Sequence, residues 1–377
     1  MSLHAKLQPS SAARWAGQCP GSVQLEAKFP QAVQSAEAAE GDAAHWVVAT
    51  VLRGGAYPAA GTLAPNGVIL DDDMLDAAEV MVDDVRARSA GAVLHIEERV
   101  SIAEVHPDNW GTPDVWWITT QEHGFVTLHL YDYKYGHRFV DAFENWQCLD
   151  YATGILELPA PAFPDISHAL IKIEINVVQP RNYHPSGMIR RWELTAAELS
   201  KYSEELRQRA VEATSPKPWS RVGRECRDCR GRHACQVLQY AADNVADIAG
   251  ETVAVELPPV AVGVELRMLE RAAKLLDARL TGLREQAMFQ IRAGTAIPFF
   301  QLKQGQAREK WAKPLSEIEV LGELVGQKLT KAEPVTPAQA RKLGVPDEVV
   351  AAYSFRPPGE FKLVPVTDQD AKRIFGK

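Results

Sequence analysis

The hydrophobic period of the chain changes several times, and this alternation limits the possible folds more than any other feature of the sequence. Apolar residues recur at helical spacing over 34–53 until Gly54, and a second helical stretch begins at Asp71 and ends near Ser89. Strand-like and helical spacings then take turns: strands 93–102, 114–119 and 126–133, helix 141–156, strands 169–178 and 189–194, and helix 196–213 after the N-cap Thr195. The pattern predicts a mixed α/β domain over about the first 240 residues.

The composition excludes several classes of protein. Of the 377 residues, 46% are hydrophobic and 24% are charged, which is typical of globular proteins and excludes collagen-like and wholly disordered chains. No apolar run approaches the ~18 residues of a membrane helix, and Met1–Ser10 lacks the apolar core of a secretory signal. Five cysteines in a chain of this length are too few for a disulfide framework. We therefore expect a soluble, cytoplasmic protein of two or three domains with no membrane partner.

The charge is unevenly distributed along the chain. The net charge of −8 argues against a protein that coats nucleic acid, but it allows an enzyme that acts on nucleic acid along a local basic path. Residues 301–377 carry +3, so the first 300 residues carry −11. Within this acidic part, the segment from Lys217 to Arg232 holds six basic and two acidic residues. Such a run is either a solvated loop or a site for a polyanion.

The chain divides into two parts by composition and period. We predict a domain over 1–243, a polar linker over 244–262 and a C-terminal extension over 263–377, in which 263–293 form a long helix. Apolar residues of that helix repeat at alternating spacings of three and four, as in a coiled-coil seam: Leu266, Leu269, Ala273, Leu276, Leu280, Leu283 and Ala287. The stripe suits a helix packed on its own domain, a helical hairpin arm or a dimer seam, so the sequence permits an oligomer.

Three ionisable residues fall at the ends of two neighbouring predicted strands. Asp114 opens one strand, and Asp132 and Lys134 end the next, where they point to the same face because side chains alternate along a strand. We expect Asp114 to meet Asp132, and two carboxylates at close range repel each other unless a cation lies between them. Oxygen ligands suit Mg²⁺ or Mn²⁺, and a lysine beside them to polarise water makes the set suitable for phosphodiester hydrolysis.

Further residues complete an ordered set around these strands. His45 lies on the first predicted helix, and Gln147 and Tyr151, four positions apart, share a face of the helix that follows Lys134. Taken singly, a core histidine and ordinary helix packing explain these residues equally well. Their order along the chain is what distinguishes the set.

The ordered set resembles the motifs of the PD-(D/E)xK nuclease superfamily, and specifically of its RecB-like exonuclease branch. Four motifs carry the resemblance: Gly41 to His45, Gly111 to Asp114, Asp132 to Lys134, and Gln147 to Tyr151. The resemblance covers about residues 1–240 and implies a restriction-endonuclease-like core, in which helices flank a central mixed sheet. It also implies ligands for Mg²⁺ or Mn²⁺: His45, Asp114, Asp132 and the backbone carbonyl of Tyr133. Lys134 would activate water, and Gln147 and Tyr151 would steady the site and contact DNA.

Three of the five cysteines form the cluster Cys226-x₂-Cys229-x₅-Cys235. In a cytosolic protein such a cluster indicates metal binding rather than disulfides. Structural zinc and an iron–sulfur cluster both take four ligands. The fourth ligand is then either His233 or Cys19, far upstream, and spacing alone does not decide between them.

Iron–sulfur members of the RecB-like branch, among them CRISPR-associated exonucleases and AddB-type helicase–nuclease subunits, place one cysteine before the nuclease motifs and three after them. The resemblance therefore implies a [4Fe–4S] cluster with four ligands: Cys19, Cys226, Cys229 and Cys235. Zinc and unliganded thiols are the alternatives. The cluster would tie the start of the domain to its end. Five arginines beside these cysteines are predicted to form a phosphate-binding rim: Arg221, Arg224, Arg227, Arg230 and Arg232.

The predicted function is that of a metal-dependent DNA exonuclease, rather than an endonuclease, with a structural [4Fe–4S] cluster. The C-terminal segment resembles the tails of phage- and prophage-encoded nucleases, which implies a role in phage recombination, replication or repair. The partners would be DNA, as single strands or duplex ends, and a recombination protein. Two alternatives remain: a catalytically weak DNA- or protein-binding module on the same fold, and a zinc-stabilised structural protein of the phage particle. The intact Asp114, Asp132 and Lys134 count against the binding module.

Overall fold

The fold is given by a computed structural model, which describes residues 5–29, 34–89, 91–121, 124–182, 187–249, 258–306, 310–311, 313, 315–329, 336–355 and 358–365. The chain divides into a large unit, Met1–Gly282, and a small unit, Leu283–Lys377. No helix within the described ranges combines the length and the apolarity that crossing a bilayer requires.

The large unit is built around a sheet. Its strands are β1 (His95–Ile96), β2 (Val100–Ser101), β3 (Trp110–Gly111), β4 (Val115–Thr120), β5 (Val126–Tyr133), β6 (Ile171–Val178) and β7 (Ile189–Thr195). Five of them form a mixed sheet in the order β1-β4-β5-β6-β7, in which β5 and β6 run parallel and the other neighbours run antiparallel. Strands β2 and β3 pair separately. The predicted mixed α/β class is confirmed, and the strand predicted at 93–102 is divided between β1 and β2.

Helices flank both faces of this sheet. The helices of this part of the chain are α1 (Ala12–Trp15), α2 (Ser22–Glu26), α3 (Ala36–Leu52), α4 (Asp72–Ser89), α5 (Trp146–Leu156), α6 (Ala196–Thr214), α7 (Gln236–Ala249) and α8 (Pro259–Arg292). Helices α5 and α6 pack on one face of the sheet and α3 and α4 on the other, whereas α7 and α8 pack together beside Cys226. Side-chain caps set several of their starts, because an N-cap side chain satisfies an amide that the helix leaves unpaired. Asn145 caps α5 through the amide of Cys148, so this helix begins five residues later than predicted. Thr195 and Glu198 form the predicted capping box of α6.

The side chains of β5 alternate between two hydrophobic cores, one on each face of the sheet. Val126, Leu128 and Leu130 pack under α5, α6 and the N-terminal segment 5–29. Tyr131 and Tyr133 pack on the other face against α3 and α4. Even-numbered residues at the end of β5 therefore point to the α5 side, and α3 reaches the same end of the sheet from the opposite side.

The long helix α8 contacts the rest of the large unit through one face. Leu275, Ala278 and Gly282 are buried there, and a side chain on Gly282 would collide with Arg232, since its Cβ would lie 2.5 Å from Cγ of that arginine. Leucines of the predicted coiled-coil stripe are exposed instead: Leu266, Leu269, Leu276 and Leu280. The stripe is therefore not the face through which α8 packs. The linker predicted at 244–262 overlaps the ends of α7 and α8, and residues 250–257 lie outside the described ranges.

The small unit has two short antiparallel pairs, β8 (Phe300–Gln306) with β11 (Pro358–Pro365) and β9 (Lys310–Trp311) with β10 (Ser354–Phe355). Its further helices are α9 (Leu315–Leu324), α10 (Pro337–Lys342) and α11 (Asp347–Tyr353). They enclose a core of their own around Ile318, Leu321 and Val350.

Candidate functional site

Asp114 and Asp132 face each other where β4 begins and β5 ends. The register pairs Val115 with Tyr131, so one step further along the ladder Asp114 stands opposite Asp132. The backbone N–H of Tyr133 donates a 2.6 Å hydrogen bond to Oδ2 of Asp114, which holds this carboxylate at the end of the sheet. The side chain of Asp132 is buried. The structure thus brings the two predicted carboxylates together.

Lys134 lies between Asp132 and the first turn of α5. Its ammonium group is 2.8 Å from Oδ1 of Asp132 and 3.1 Å from Oε1 of Gln147. One turn along the same helix, the hydroxyl of Tyr151 donates to the carbonyl of Thr112 at 3.2 Å. Gln147 therefore positions Lys134, and Tyr151 holds the turn that leads into Asp114.

Gly111 is required here by close packing. A Cβ atom at this position would lie 2.7 Å from Cε1 of Tyr151 and 2.9 Å from Cγ of Pro9. Any side chain would push Tyr151 away from the turn before Asp114. Gly41, the glycine of the His45 motif, has nothing within 4 Å of the corresponding point, so packing does not require a glycine there.

His45 approaches the carboxylates from α3 and brings in a residue that the sequence did not reveal. Its Nδ1 lies 3.2 Å from Oδ1 of Asp114 and 3.6 Å from Oε1 of Glu97, and the three donor atoms lie within 4.8 Å of one another. The ring of His45 packs edge-on against that of Tyr133, with centroids 5.3 Å apart. Glu97 follows β1 with φ of 50°, a conformation that costs free energy for a residue other than glycine.

The ionisation of these groups reflects a crowded negative site. Burial lowers the pKa of His45, but the charge and hydrogen bond of Asp114, joined by Glu97, outweigh burial and raise that pKa to about 10. Burial opposes ionisation of Asp114, yet His45 and Lys134 hold its pKa below the ordinary value. The pKa of Asp132 is raised by burial and by repulsion from Asp114, against the effect of Lys134. The positive charges of His45 and Lys134 thus only partly neutralise the negative charge of the carboxylates.

A divalent cation fits this set of donors. Oδ2 of Asp132 is buried and has no hydrogen-bond partner within the described part of the chain, which is costly unless another group satisfies it. The donor atoms of His45, Glu97 and Asp114 lie within 4.8 Å of one another. Asp132 lies outside this close group, opposite Asp114, and offers a third carboxylate beside it. Mg²⁺ prefers oxygen ligands, and Mn²⁺ also accepts imidazole. Of the residues predicted to bind metal, the structure brings His45, Asp114, Asp132 and Tyr133 to one place, and it adds Glu97.

The four predicted cluster ligands, Cys19, Cys226, Cys229 and Cys235, line one small cavity. Backbone N–H groups point at two of the sulfur atoms: that of Arg221 donates to Sγ of Cys19 at 3.4 Å, and that of Gly223 to Sγ of Cys226 at 3.3 Å. Cys148 is buried elsewhere, on α5. Burial raises the pKa of the Cys226 thiol, and raises that of Cys229 to about 12. Burial therefore favours the protonated thiol at Cys226 and Cys229 when no cation is bound.

The N-terminal segment is bonded directly to the cysteine loop, residues 221–235. Oε1 of Gln18 accepts from the amide of Glu225 at 3.1 Å, and Oε1 of Glu26 accepts from the amide of Arg230 at 2.8 Å. His233 is absent from the described lining of the cavity and packs edge-on against Phe29, with ring centroids 4.3 Å apart. Among described residues, no three of the thiols lie within 4.8 Å of one another.

The five arginines of the predicted rim do not lie together. Arg221, Arg224 and Arg227 line a groove beside α8. Arg230 lines a different cavity, together with Arg14, Arg99 and Trp110. Arg232 is buried, and its guanidinium donates to the carbonyl of Cys229 at 2.9 Å. The structure therefore groups three of the five and holds Arg232 inside the cysteine loop.

Comparison with known protein families gives a match over most of the chain. A family model described as "Protein of unknown function (DUF2800)" matches residues 4–371. With nearly its whole length matched, the chain belongs to the DUF2800 family.

Proposed function

We propose that this protein is a metal-dependent nuclease that hydrolyses DNA phosphodiester bonds, acting as an exonuclease of the RecB-like PD-(D/E)xK type. One observation carries the proposal: a lysine, two facing aspartates and a histidine converge at one end of a mixed sheet, as the resemblance of the four motifs implies. Two cations and two carboxylates would not be assembled around an unsatisfied buried oxygen for packing alone, because their burial is costly.

The residues that would hold a divalent cation are His45, Glu97, Asp114 and Asp132. When bound there, Mg²⁺ or Mn²⁺ would polarise the phosphate and lower the pKa of the attacking water. His45 must be neutral to act as a ligand, so binding of the cation would release its proton.

The residues that do not bind the metal position water, the phosphate or the metal ligands. Lys134, fixed between Asp132 and Gln147, is placed to orient water and to offset negative charge that develops on the phosphate. Tyr151 holds the carbonyl of Thr112 and so fixes the turn before Asp114. Gly111 allows the ring of Tyr151 to come that close.

The cysteine cavity supports a structural [4Fe–4S] cluster as part of the proposal. Four thiols line the cavity, and N–H groups directed at sulfur are a usual means of stabilising such clusters. A tetrahedral zinc site would need sulfur atoms about 3.8 Å apart, closer than any three of these thiols in the described chain. The cluster would fasten residues 14–26 to the cysteine loop and would take no part in catalysis.

The experiment is a cleavage assay on end-labelled linear DNA and on covalently closed circular DNA, with Mg²⁺, with Mn²⁺ and with EDTA. We expect metal-dependent loss of the linear substrate, little attack on the circle, and no cleavage by Asp132→Asn. Asp165→Asn, which changes an exposed carboxylate, is the matched control and should be fully active. A purified protein that binds DNA but does not cut it with either metal would be a binding module instead. From the resemblance of the C-terminal segment, we propose phage recombination, replication or repair as the setting of this activity.

A further inference from the structure

A basic groove lies beside the cysteine loop, outside the metal site. It has a volume of about 790 Å³ and runs between this loop and α8. Six cationic side chains line it: Arg221, Arg224, Arg227, Arg267, Arg271 and Lys274. Three carboxylates line it as well, so the groove carries an excess of positive charge inside a region of the chain whose sum is negative.

The geometry of α8 explains how the groove forms. Arg267, Arg271 and Lys274 are spaced by four and three residues and share one face of the helix. The same face continues into Leu275 and Ala278, which are buried against the large unit. The C-terminal part of this face is therefore packed, whereas its N-terminal part stands away from the cysteine loop and leaves a wedge-shaped space.

The cations in the wedge are poorly neutralised. Arg221, Arg267, Arg271 and Lys274 have no ion-pair partner in the part of the chain that the structure describes. The exposed Arg224 pairs with the half-buried Glu225, and the exposed Arg227 pairs with the exposed Asp228. Ion pairs with an exposed arginine contribute little. Like charges gathered around one space repel each other, so a polyanion that enters it gains both attraction and relief of repulsion.

Helix α5 connects the groove with the candidate active site. Trp146 lines the groove, and the next residue, Gln147, accepts the hydrogen bond from Lys134. The first turn of α5 therefore contacts the groove through Trp146 and Lys134 through Gln147.

We propose that the wedge between α8 and the cysteine loop binds the sugar–phosphate backbone of the nucleic acid substrate, with Arg267, Arg271 and Lys274 as one wall and Arg221, Arg224 and Arg227 as the other. This inference rests on the proposed function, because it names the path by which the substrate reaches the metal site. Arginine suits this role because its guanidinium binds phosphate through two parallel hydrogen bonds.

The test is binding of fluorescein-labelled DNA of about 20 nucleotides, as a single strand and as a hairpin duplex, over a range of salt concentrations. The protein carries Asp132→Asn so that cleavage does not interfere. Adding Arg267→Ala, Arg271→Ala and Lys274→Ala should weaken binding at least about tenfold and reduce the slope of log K against log salt by about 2 to 3. Comparison of the two affinities shows whether the groove binds single-stranded or duplex DNA more tightly.

The matched control removes three cations outside the groove, as Lys172→Ala, Lys201→Ala and Arg207→Ala, and should leave the salt slope nearly unchanged. An unchanged slope in the groove variant, or an equal loss in the control, would overturn the inference. Arg271→Glu alone is a second version if the triple variant does not fold, and it should weaken binding while Arg271→Lys retains it. Groove-dependent binding by a wild-type protein without nuclease activity would sink the proposed function and leave this inference standing. If the wild-type protein cleaves DNA but the groove variant binds DNA as well as the parent, the proposed function stands and this inference fails.

Discussion

Oδ1 of Asp132 accepts a 2.8 Å hydrogen bond from the ammonium group of Lys134, while Oδ2 of the same carboxylate is buried and has no partner among the residues that the structure describes. One oxygen is thus engaged by the lysine and the other is left for a cation. Under the proposed function, metal binding and turnover would depend on different atoms of this pair, so variants can separate them.

Lys134→Met should leave binding of Mn²⁺ near normal and slow cleavage by about 10²–10⁴-fold, because the ligands remain but the group that orients water is lost. Asp132→Asn should weaken both, since it removes a charged ligand. Titration of Mn²⁺ by electron paramagnetic resonance, combined with single-turnover cleavage, measures the two effects. A near-normal rate for Lys134→Met at saturating Mn²⁺ would show that the lysine is not catalytic.

Glu97→Gln should weaken Mn²⁺ binding by about tenfold or more, because it removes a charge from the group of donors around His45. Glu98→Gln is the matched control. Its carboxylate pairs with His95 at 2.8 Å and is not part of that group, so it should bind Mn²⁺ as the wild type does. Isothermal titration measures both affinities. Equal affinities for the two variants would remove Glu97 from the metal site.

Cys19→Ala and Cys226→Ala should have the same effect, although the residues are far apart in sequence, because both line one cavity. Protein purified without oxygen should be brown and contain iron and sulfide in about equal amounts, and each variant should lose the colour and unfold at lower temperature. Cys148→Ala, on α5, should keep the colour. Stoichiometric zinc, with His233→Ala destructive and Cys19→Ala harmless, would replace the four-cysteine assignment.

Asp150 should make the fold less stable as pH rises. Burial raises its pKa from 3.8 to about 8, although hydrogen bonds from Asn109 oppose this. The folded protein therefore keeps a proton that the unfolded chain releases, and the free energy of unfolding should fall between about pH 4 and about pH 8. Asp150→Asn should flatten this dependence, and the exposed Asp165→Asn should not. Urea unfolding across that range measures the slopes, and parallel slopes for wild type and Asp150→Asn would contradict the assignment.

The two motif glycines should respond oppositely to alanine. Gly111→Ala should destabilise the protein by about 1–3 kcal/mol, because its Cβ has no room beside Tyr151 and Pro9. Gly41→Ala should stabilise it by about 0.5–1 kcal/mol, since the site is open and lies within α3. Urea unfolding gives both values, and a Gly111→Ala variant as stable as the wild type would show that the packing described around Gly111 is wrong.

The regular elements could be predicted because their signals are local. Strand β5 has its predicted bounds, 126–133, and Thr195 caps α6 as expected, since both depend on neighbouring residues. Sheet register then placed Asp114 opposite Asp132. Glu97 was missed because it follows a two-residue strand, where too few residues alternate to give a period. A carboxylate directly after His95 and Ile96 was the available signal.

The other differences come from tertiary packing that spacing does not encode. The stripe of leucines on α8 was the strongest periodic signal of that helix, yet Leu275 and Ala278 face the large unit. Arg232 looks in sequence like the other arginines of its loop, but it is drawn inside by its bond to Cys229. Arg221, Arg224 and Arg227 line a groove and remain available to a ligand, whereas Arg232 is buried. Only the fold distinguishes the buried arginine from the three accessible ones.

The hydrogen bond from the amide of Arg221 to Sγ of Cys19 joins residues 202 positions apart, and this separation matters during synthesis. At about 5–20 residues per second, a ribosome releases the first helices roughly 10–40 seconds before their partners exist. Trp15 and Leu7, which are fully covered in the finished core, lack the last of their core partners, the residues of α6, for most of that time. The nascent chain is therefore most vulnerable to aggregation and proteolysis before residue 235 emerges.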